Sequence, residues 1–277
     1  MTAPAFFNVT NGLATFGPEI IRVIDALEGR FLSWATMFDA EAMSYPPLMR
    51  VKDLDNFDYF QNFPHLALMT SQIHQGPLSE YANGTESVSS IPKEHLTNVE
   101  YALPSAACYN IYLHLRDTTL ESPKYITTVA QCFRNEKEFS GLARLWGFRM
   151  REIVCIGEAD AVHNFLGEMK EIIQSFVSQM KLPLELEIAT DPFYDGRGRR
   201  ALMQKLSPVK FEFVYGGSVA IASANFHRNF FGEKCDLRTA DGAFAFSGCV
   251  AFGIERWIHA LMDHFDGDAE RICELLK

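Results

Sequence analysis

The sequence predicts an α+β fold, in which a mostly antiparallel sheet carries helices on one side. Three observations predict it. Two segments, 18–38 and 159–181, repeat apolar residues at helical spacing. Several short strand-like runs follow one another through turns. The chain of 277 residues is 48% apolar and shows no internal repeat, which suits one large core. We therefore expect a single domain spanning 1–277.

The first helix is predicted over 18–38, where an apolar stripe alternates with charged residues; the stripe consists of Ile20, Val23, Ile24, Leu27 and Phe31. The segment 40–51 follows, and Pro46–Pro47 within it favours an edge or a bend over a central strand. The polar run 73–98 is rich in Gly, Ser and Pro. It predicts a mobile loop or lid.

The second half of the chain supplies most of the predicted sheet. Strands at 129–136 and 146–157 flank a turn-like loop at 137–144, and a helix follows at 159–181. Later strands are predicted at 184–190, 209–215, 218–224 and 243–252, and a closing helix at 254–265.

The composition limits the classes of function. A net charge of −10 lowers the expectation of a dedicated nucleic-acid-binding protein, because such proteins need many cationic contacts to phosphates. The sequence contains no run of 18 apolar residues, so no transmembrane helix is predicted. The N-terminus does not resemble a signal peptide. Six cysteines without a dense framework are expected to be reduced, buried or metal-bound. We expect a cytoplasmic protein with no membrane partner.

Basic residues cluster early in the last third of the chain, between 197 and 210. They are Arg197, Arg199, Arg200, Lys205 and Lys210. Such a cluster is often a solvated surface loop. It is equally suited to dock an acidic partner.

Three distant residues form a possible metal centre: Cys108, Glu152 and Cys249. Two thiolates and one carboxylate make a three-ligand zinc set, which leaves one tetrahedral position open, as in catalytic zinc sites. A cysteine in apolar surroundings is more often a small buried hydrophobe. Spacing alone does not decide which cysteines bind metal.

Two charged motifs complete the candidate site. In FRNE (133–136), Arg134 and Glu136 are expected on the same face of a strand. In GIER (253–256), Arg256 lies in the first turn of a helix and is placed to reach a polyphosphate. Each motif alone is also typical of a solvated strand or a strand–helix junction.

Together, these motifs resemble motifs 2 (about 129–157) and 3 (about 243–265) of class II aminoacyl-tRNA synthetases, and 18–51 resembles their dimer-forming motif 1. The chain more closely resembles the amino acid:[carrier protein] ligases, homologues of the catalytic domain of zinc-dependent seryl-tRNA synthetases. The resemblance rests on rare segments across about 62–260, namely NFPHL, LPSAACY, CFRNE, FRMREIVCIG, DPFYDGRGR, KFEF, SANFHRNFFG and RTADGAFAFSGCVAFGIER.

The resemblance implies residue roles. Cys108, Glu152 and Cys249 match zinc ligands, with the fourth position for the α-amino group of the amino acid. Arg134 matches the arginine that bridges the carboxylate and the ATP α-phosphate. The remaining matches concern ATP: Glu136 at the adenine amino group, Phe148 stacked on adenine, and Arg144 and Arg256 at the γ-phosphate. Mg²⁺ is expected on the polyphosphate.

The chain departs from the family pattern in two places. Ala220 stands where an acidic magnesium ligand precedes Ser223 by three residues in synthetases, and Glu212 is the expected substitute. Asn229 and Phe230 stand where Asp and His are usual. Ser223, Asn225 and His227 line the expected substrate wall, so the choice of substrate is open.

The implied activity is ATP-dependent activation of a small amino acid, followed by transfer to the phosphopantetheine thiol of a carrier protein. The resemblance also implies a homodimer. No tRNA- or anticodon-binding domain is recognised, so no nucleic-acid partner is expected. The alternatives are a non-catalytic amino-acid-binding paralogue, and transfer to tRNA or to another small acceptor.

Overall fold

The computed structural model describes residues 7–85 and 87–277. In these residues the helices are α1 (Pro18–Thr36), α2 (Val51–Asn56), α3 (Tyr59–Asn62), α4 (Leu78–Asn83), α5 (Tyr109–His114), α6 (Ala159–Gln179), α7 (Arg199–Leu206), α8 (Phe230–Cys235), α9 (Ile254–His264) and α10 (Ala269–Leu275). The strands are β1 (Phe7–Thr10), β2 (Leu13–Phe16), β3 (Glu41–Ala42), β4 (Met49–Arg50), β5 (Leu68–Thr70), β6 (Tyr101–Leu103), β7 (Thr119–Leu120), β8 (Lys124–Phe133), β9 (Gly147–Gly157), β10 (Leu184–Ala189), β11 (Lys210–Tyr215), β12 (Val219–Arg228), β13 (Arg238–Thr239) and β14 (Phe246–Gly253).

The central sheet has seven strands in the order β10-β11-β12-β14-β9-β8-β3. All neighbouring pairs are antiparallel except β3 with β8, a short parallel pair at one edge. The predicted α+β class with a mostly antiparallel sheet is confirmed. Pro46–Pro47 lie between β3 and β4 in a segment without regular structure, as expected for residues that cannot donate to a ladder.

Helices α1, α6 and α9 cover one face of the sheet and form the larger core. The stripe predicted for α1 is buried, and Ile20, Val23, Leu27 and Phe31 are fully enclosed. Helix α6 packs so closely on β14 that a Cβ at Gly248 would lie 2.8 Å from Val162. Only glycine fits at this position, and its neighbour Cys249 is thereby held on the opposite face of the strand.

The opposite face of the sheet is only partly covered. A second, smaller core packs against it from α2, α5 and α8, and includes Tyr112, Ile126, Val154 and Phe231. The ring of Tyr112 stacks on Phe231 with centroids 3.8 Å apart. This arrangement leaves a cleft between the sheet and the surrounding loops.

Three local predictions are corrected by the structure. Strand β8 ends at Phe133, so Arg134 and Glu136 lie beyond the strand rather than on one face of it. The backbone leaves the sheet there because the Asn135 N–H donates to Leu66 O rather than to β9. The loop predicted at 73–98 contains helix α4. The basic cluster was interpreted as a surface loop, but part of it forms helix α7, which begins at Arg199.

Among the described residues, no helix combines the length and apolar character needed to cross a membrane.

Candidate active site

The three predicted metal ligands converge on the open face of the sheet. Cys108 precedes α5, Glu152 lies in β9 and Cys249 in β14. Their ligand atoms all lie within 4.8 Å of one another. Strand pairing explains half of this convergence, because Ala251 is the register partner of Glu152, and Cys249 lies two residues away on the same face.

The triad has the chemistry of a cation site. Oε1 of Glu152 accepts hydrogen bonds from the backbone N–H groups of Ala107 (2.8 Å) and Cys108 (3.2 Å). The other oxygen, Oε2, is buried without a hydrogen-bond partner. The hydrogen bond to Cys249, burial and Glu152 raise the pKa of Cys108 well above its usual value. A buried, unpaired carboxylate oxygen beside two thiols is costly without a cation, and the donor set fits zinc.

Polar side chains surround the Cys249 sulfur. The Asn225 amide donates to Cys249 Sγ at 3.3 Å and to Ser223 Oγ at 3.0 Å. His227 Nε2 lies 3.6 Å from Cys249 Sγ, and its Nδ1 contacts the Ser247 and Tyr112 hydroxyls. Burial lowers the pKa of His227 to about 4, so the imidazole is neutral near pH 7. The predicted substrate-wall residues thus lie directly beside the triad.

Arg134 lies at the edge of the same cleft. Its Nε and one terminal nitrogen both donate to the Ser105 carbonyl, at 3.3 and 3.2 Å. The guanidinium carbon lies 5.1 Å from the centre of the Phe148 ring. Phe148 therefore contacts Arg134 directly, and its predicted stacking on adenine stays a prediction. These contacts hold the guanidinium fork in one place, which suits recognition of a carboxylate and a phosphate.

A narrow cavity of about 90 Å³ is lined by five of the residues predicted to bind the nucleotide: Arg134, Glu136, Phe148, Glu212 and Arg256. After that prediction, we call it the nucleotide cavity. Arg256 donates to the carbonyls of Ala143 (2.9 Å) and Ala220 (3.0 Å), which fixes it between the loop 137–144 and β12. Burial and the like charge of Arg134 lower the pKa of Arg256. An incoming polyphosphate would relieve this repulsion between cations.

Arg144 lies at the rim of this cavity. It pairs with Glu136 at 3.4 Å, and its side chain is half exposed. The structure therefore places Arg144 near the nucleotide cavity without making it part of the wall. A surface pair of this kind is weak, so Arg144 is free to turn towards a phosphate.

Glu212 and Ser223 are register partners on neighbouring strands β11 and β12. Both line the nucleotide cavity, as does Ala220. The acidic side chain that β12 lacks at Ala220 is thus available from the adjacent strand. Glu212 and Ser223 point to the same face and offer oxygen ligands of the kind that Mg²⁺ prefers.

A larger cavity of about 540 Å³ adjoins the nucleotide cavity and contains the whole triad with Ser223, Asn225 and His227. Aromatic side chains form much of its wall, namely Phe57, Phe63, Tyr109, Phe193, Phe226, Phe230 and Phe231. Five residues line both cavities: Arg134, Met150, Lys210, Ser223 and Ala251.

Two further charged residues of the site were missed from the sequence. Lys210 had been counted with the basic surface cluster, but its side chain is only 14% exposed. Asp191 lines the larger cavity and pairs with Lys210. The alternation of β11 would have revealed Lys210, because it lies two residues before Glu212 on the same face. No local pattern marks Asp191, which lies in a loop.

Comparison with known proteins places the chain in a family. Residues 93–265 match the model of the tRNA synthetase class II core domain (G, H, P, S and T). Amino acid--[acyl-carrier-protein] ligase 1 of Bradyrhizobium diazoefficiens is 31% identical over 230 residues, which cover 78% of this chain and 69% of that protein. The type-2 serine–tRNA ligase of Methanococcus aeolicus is 24% identical over 253 residues, 84% of this chain and 48% of that protein.

Solved structures agree on the fold. Seryl-tRNA synthetase of Methanopyrus kandleri, solved with a tRNASec, superposes with a TM-score of 0.77 at 20% identity, over 93% of this chain and 55% of that one. Prolyl-tRNA synthetase of Giardia lamblia, solved with prolyl-adenylate, gives 0.68 at 12% identity, over 92% and 49%. The chain thus spans about half the length of these synthetases. It belongs to the class II tRNA synthetase core family and, within it, to the family of the amino acid--[acyl-carrier-protein] ligases.

Proposed function

We propose that this protein activates a small amino acid with ATP and transfers the aminoacyl group to the phosphopantetheine thiol of a carrier protein. The observation that carries this proposal is the junction of the two cavities. The larger one holds a Cys–Glu–Cys triad suited to zinc, which would bind the amine, the narrower one is lined by arginines suited to a polyphosphate, and Arg134 belongs to both. Relatives with 31% identity carry the name of this ligase activity.

In the first step, a carboxylate oxygen of the amino acid attacks the α-phosphorus of ATP, and the bond from that phosphorus to the bridging oxygen of pyrophosphate breaks. We assign Arg134 to hold the carboxylate and the α-phosphate together, and Arg256 and Arg144 to hold the γ-phosphate. Glu136 would accept from the adenine amino group, and Glu212 with Ser223 would hold Mg²⁺. The main contribution of the protein is then positioning and charge stabilisation.

Cys108, Glu152 and Cys249 would hold zinc. When bound, zinc supplies a Lewis-acidic position for the free α-amino group, and binding there requires the neutral amine. Asn225 and His227 would steady the Cys249 thiolate by hydrogen bonds. Phe230 and Phe231 close the cavity near these residues. An aromatic wall of this kind would exclude large side chains sterically, although it separates glycine from alanine only modestly.

Amino-acid-dependent exchange of pyrophosphate into ATP tests the proposal. Zinc-loaded protein is expected to exchange with a small amino acid and to load a phosphopantetheinylated carrier protein. Each alternative predicts a different outcome: amino-acid binding by calorimetry without exchange indicates a non-catalytic paralogue, and loading of total tRNA indicates aminoacylation of tRNA. A protein that catalyses exchange but loads neither the carrier nor tRNA indicates transfer to another small acceptor. No exchange with any small amino acid would refute the adenylation step.

The carrier is expected to dock at the mouth of the larger cavity. Arg199 and Arg200 line that cavity, and α7 also exposes Leu202, Met203 and Leu206. Arg200 is partly engaged, because it donates to Asp58 at 2.6 Å. Arg197 and Arg199 are the better electrostatic contacts for an acidic carrier, and such contacts act mainly on the association rate.

Reversing one of these charges tests the proposed docking site of the carrier. Arg197→Glu, at an exposed residue that lines neither cavity, is expected to slow loading of the carrier at low salt by about threefold or more, while pyrophosphate exchange is unchanged. The difference should shrink at high salt, because screening weakens interactions between exposed charges. The reversal Lys52→Glu, on an exposed residue of α2, is the matched control. Unchanged loading at low salt contradicts the dock.

We further propose a cytoplasmic homodimer. None of the six cysteines, all of which the structure describes, forms a disulfide, as expected in a reducing compartment. The motif 1 segment exposes Met37 (64%) and Leu48 (41%), apolar side chains that a second copy would cover. Sedimentation equilibrium is expected to give about twice the chain mass of 31.3 kDa; a monomer would contradict the dimer.

A further inference from the structure

The β1–β2 hairpin (7–16) contacts the loop that borders the nucleotide cavity. Its strands pair up to Thr10 and Leu13, which leaves Asn11 and Gly12 as a two-residue turn. Both turn residues have positive φ, 51° and 73°, as two-residue Asn-Gly turns require. No residue of the hairpin lines either cavity. Any effect that it has on the site must therefore pass through the elements that it touches.

Backbone hydrogen bonds join the turn to the chain that follows the loop 137–144. The Gly12 carbonyl accepts from the backbone N–H groups of Trp146 (2.8 Å) and Gly147 (3.4 Å). The Trp146 carbonyl in turn accepts from the Arg134 N–H at 3.0 Å. A single residue, Trp146, thus connects the hairpin turn with Arg134, which lines both cavities.

The loop 137–144 also packs on the turn through Phe139. A Cβ at Gly12 would lie 2.4 Å from the Phe139 ring, so the ring lies directly against the Gly12 backbone. Glycine is needed at this position for its positive φ and for this close approach. Phe139 remains 43% exposed. Its ring therefore covers the turn at the surface and is not part of the hydrophobic core.

A third contact joins the hairpin to the start of α9. The Arg149 guanidinium carbon lies 5.5 Å from the centre of the Phe16 ring in β2. The backbone N–H and Nε of Arg149 donate to the buried Glu255 carboxylate at 2.7 and 3.2 Å. Glu255 precedes Arg256, whose guanidinium donates to the Ala143 carbonyl in the loop. The hairpin thus supports from two sides the elements that hold Arg256.

We propose that the β1–β2 hairpin is a positioning element for ATP, acting through the contact between Gly12 and Phe139. It holds the loop 137–144 near both ends before ATP binds, so that Arg144 and Arg256 are kept beside the nucleotide cavity. Without this support the loop would be ordered in only a fraction of the molecules, and the apparent affinity for ATP would fall with that fraction.

This inference rests on the proposed function, because it assigns ATP to the nucleotide cavity. It goes beyond that function by giving a role to a segment outside residues 93–265, the part of the chain that matches the synthetase core model. Neither Gly12 nor Phe139 touches a cavity, so both are positioning residues rather than catalytic ones.

Phe139→Ala tests the role. We expect KM for ATP in pyrophosphate exchange to rise by about threefold or more, because the loop loses its contact with the turn. KM for the amino acid and the zinc content should stay unchanged. Phe139→Leu keeps an apolar cover on Gly12 and should recover most of the affinity for ATP. Tyr101→Ala is the matched control, because Tyr101 is equally exposed (41%) and lines neither cavity. It should behave like the wild type.

Hydrogen exchange tests the contact without any turnover. The Trp146 N–H donates to the Gly12 carbonyl, so its exchange reports whether the turn stays docked. In ATP-free Phe139→Ala protein we expect faster exchange at Trp146 and across 137–144. Exchange in α6, which lies on the other side of the central sheet from the cleft, should not change.

The outcomes separate the two proposals. A Phe139→Ala protein with KM for ATP less than about threefold above the wild type overturns the role of the hairpin. A loss that falls equally on ATP, amino acid and zinc also overturns it, since general destabilisation predicts that result, and so does unchanged hydrogen exchange at Trp146. If Phe139→Ala does not fold, Gly12→Ala, whose Cβ would displace the ring, decides by the same limit. A wild-type protein without pyrophosphate exchange contradicts the proposed function instead, and the hydrogen-exchange result then decides whether the hairpin holds the loop.

Discussion

Cys108→Ala is expected to remove bound zinc and pyrophosphate exchange together. The sulfur of Cys108 lies within 4.8 Å of the ligand atoms of Glu152 and Cys249, and all three side chains are buried. Removing one of three protein ligands leaves an incomplete site with a buried carboxylate. We expect metal analysis to show substoichiometric zinc and exchange to fall by about 10²- to 10³-fold.

Cys132→Ala is the matched control for this substitution. Cys132 is fully buried, lies two residues before Arg134, and is not part of the triad. Its loss should cost about 1 kcal/mol of stability while zinc content stays stoichiometric. A stoichiometric zinc content in the Cys108→Ala protein, or loss of zinc from the Cys132→Ala protein, would contradict the assignment of ligands.

Arg134→Ala should abolish most adenylation while leaving the metal in place. Its guanidinium is positioned by the Ser105 carbonyl and by Phe148, and it lines both cavities. We expect exchange to fall by about 10³-fold, because the carboxylate and the α-phosphate lose their common partner. Steady-state exchange kinetics and zinc analysis of the same preparation measure both quantities.

Two further substitutions sharpen this result. Arg134→Lys keeps the charge but not the fork, and should recover only a small part of the activity. Arg238→Ala removes an arginine that pairs with Asp236 and lines neither cavity, and should leave exchange unchanged. An Arg134→Ala protein with activity near the wild type would show that Arg134 does not bridge the substrates.

Periodic patterns predicted the regular elements well. The apolar stripe of α1 and the apolar residues of the segment that forms α6 have helical spacing, and the structure places both helices on the sheet as expected. The end of β8 was predicted three residues too late. The sequence shows no break at Arg134, since the chain leaves the sheet through a contact with Leu66, which lies far away in the sequence.

The candidate site was predicted unevenly. Cys108, Glu152 and Cys249 were named because they lie in segments that resemble a known family, and the structure brings them together. Lys210 was assigned to the basic surface cluster and Asp191 was not assigned to the site, because a lysine and an aspartate among polar residues look like surface residues. Only the fold reveals that they pair at the boundary between two cavities.

By itself, the sequence determined the class of fold, the family and the residue types available for chemistry. These depend on local periodicity and on motifs, which a linear chain displays directly. The tertiary structure alone decided which groups share a cleft: the unpaired oxygen of Glu152, the cross-strand pair Glu212 and Ser223, and Lys210 between two carboxylates. The reason is physical, since strand register and loop packing fix distances between side chains that are remote in sequence.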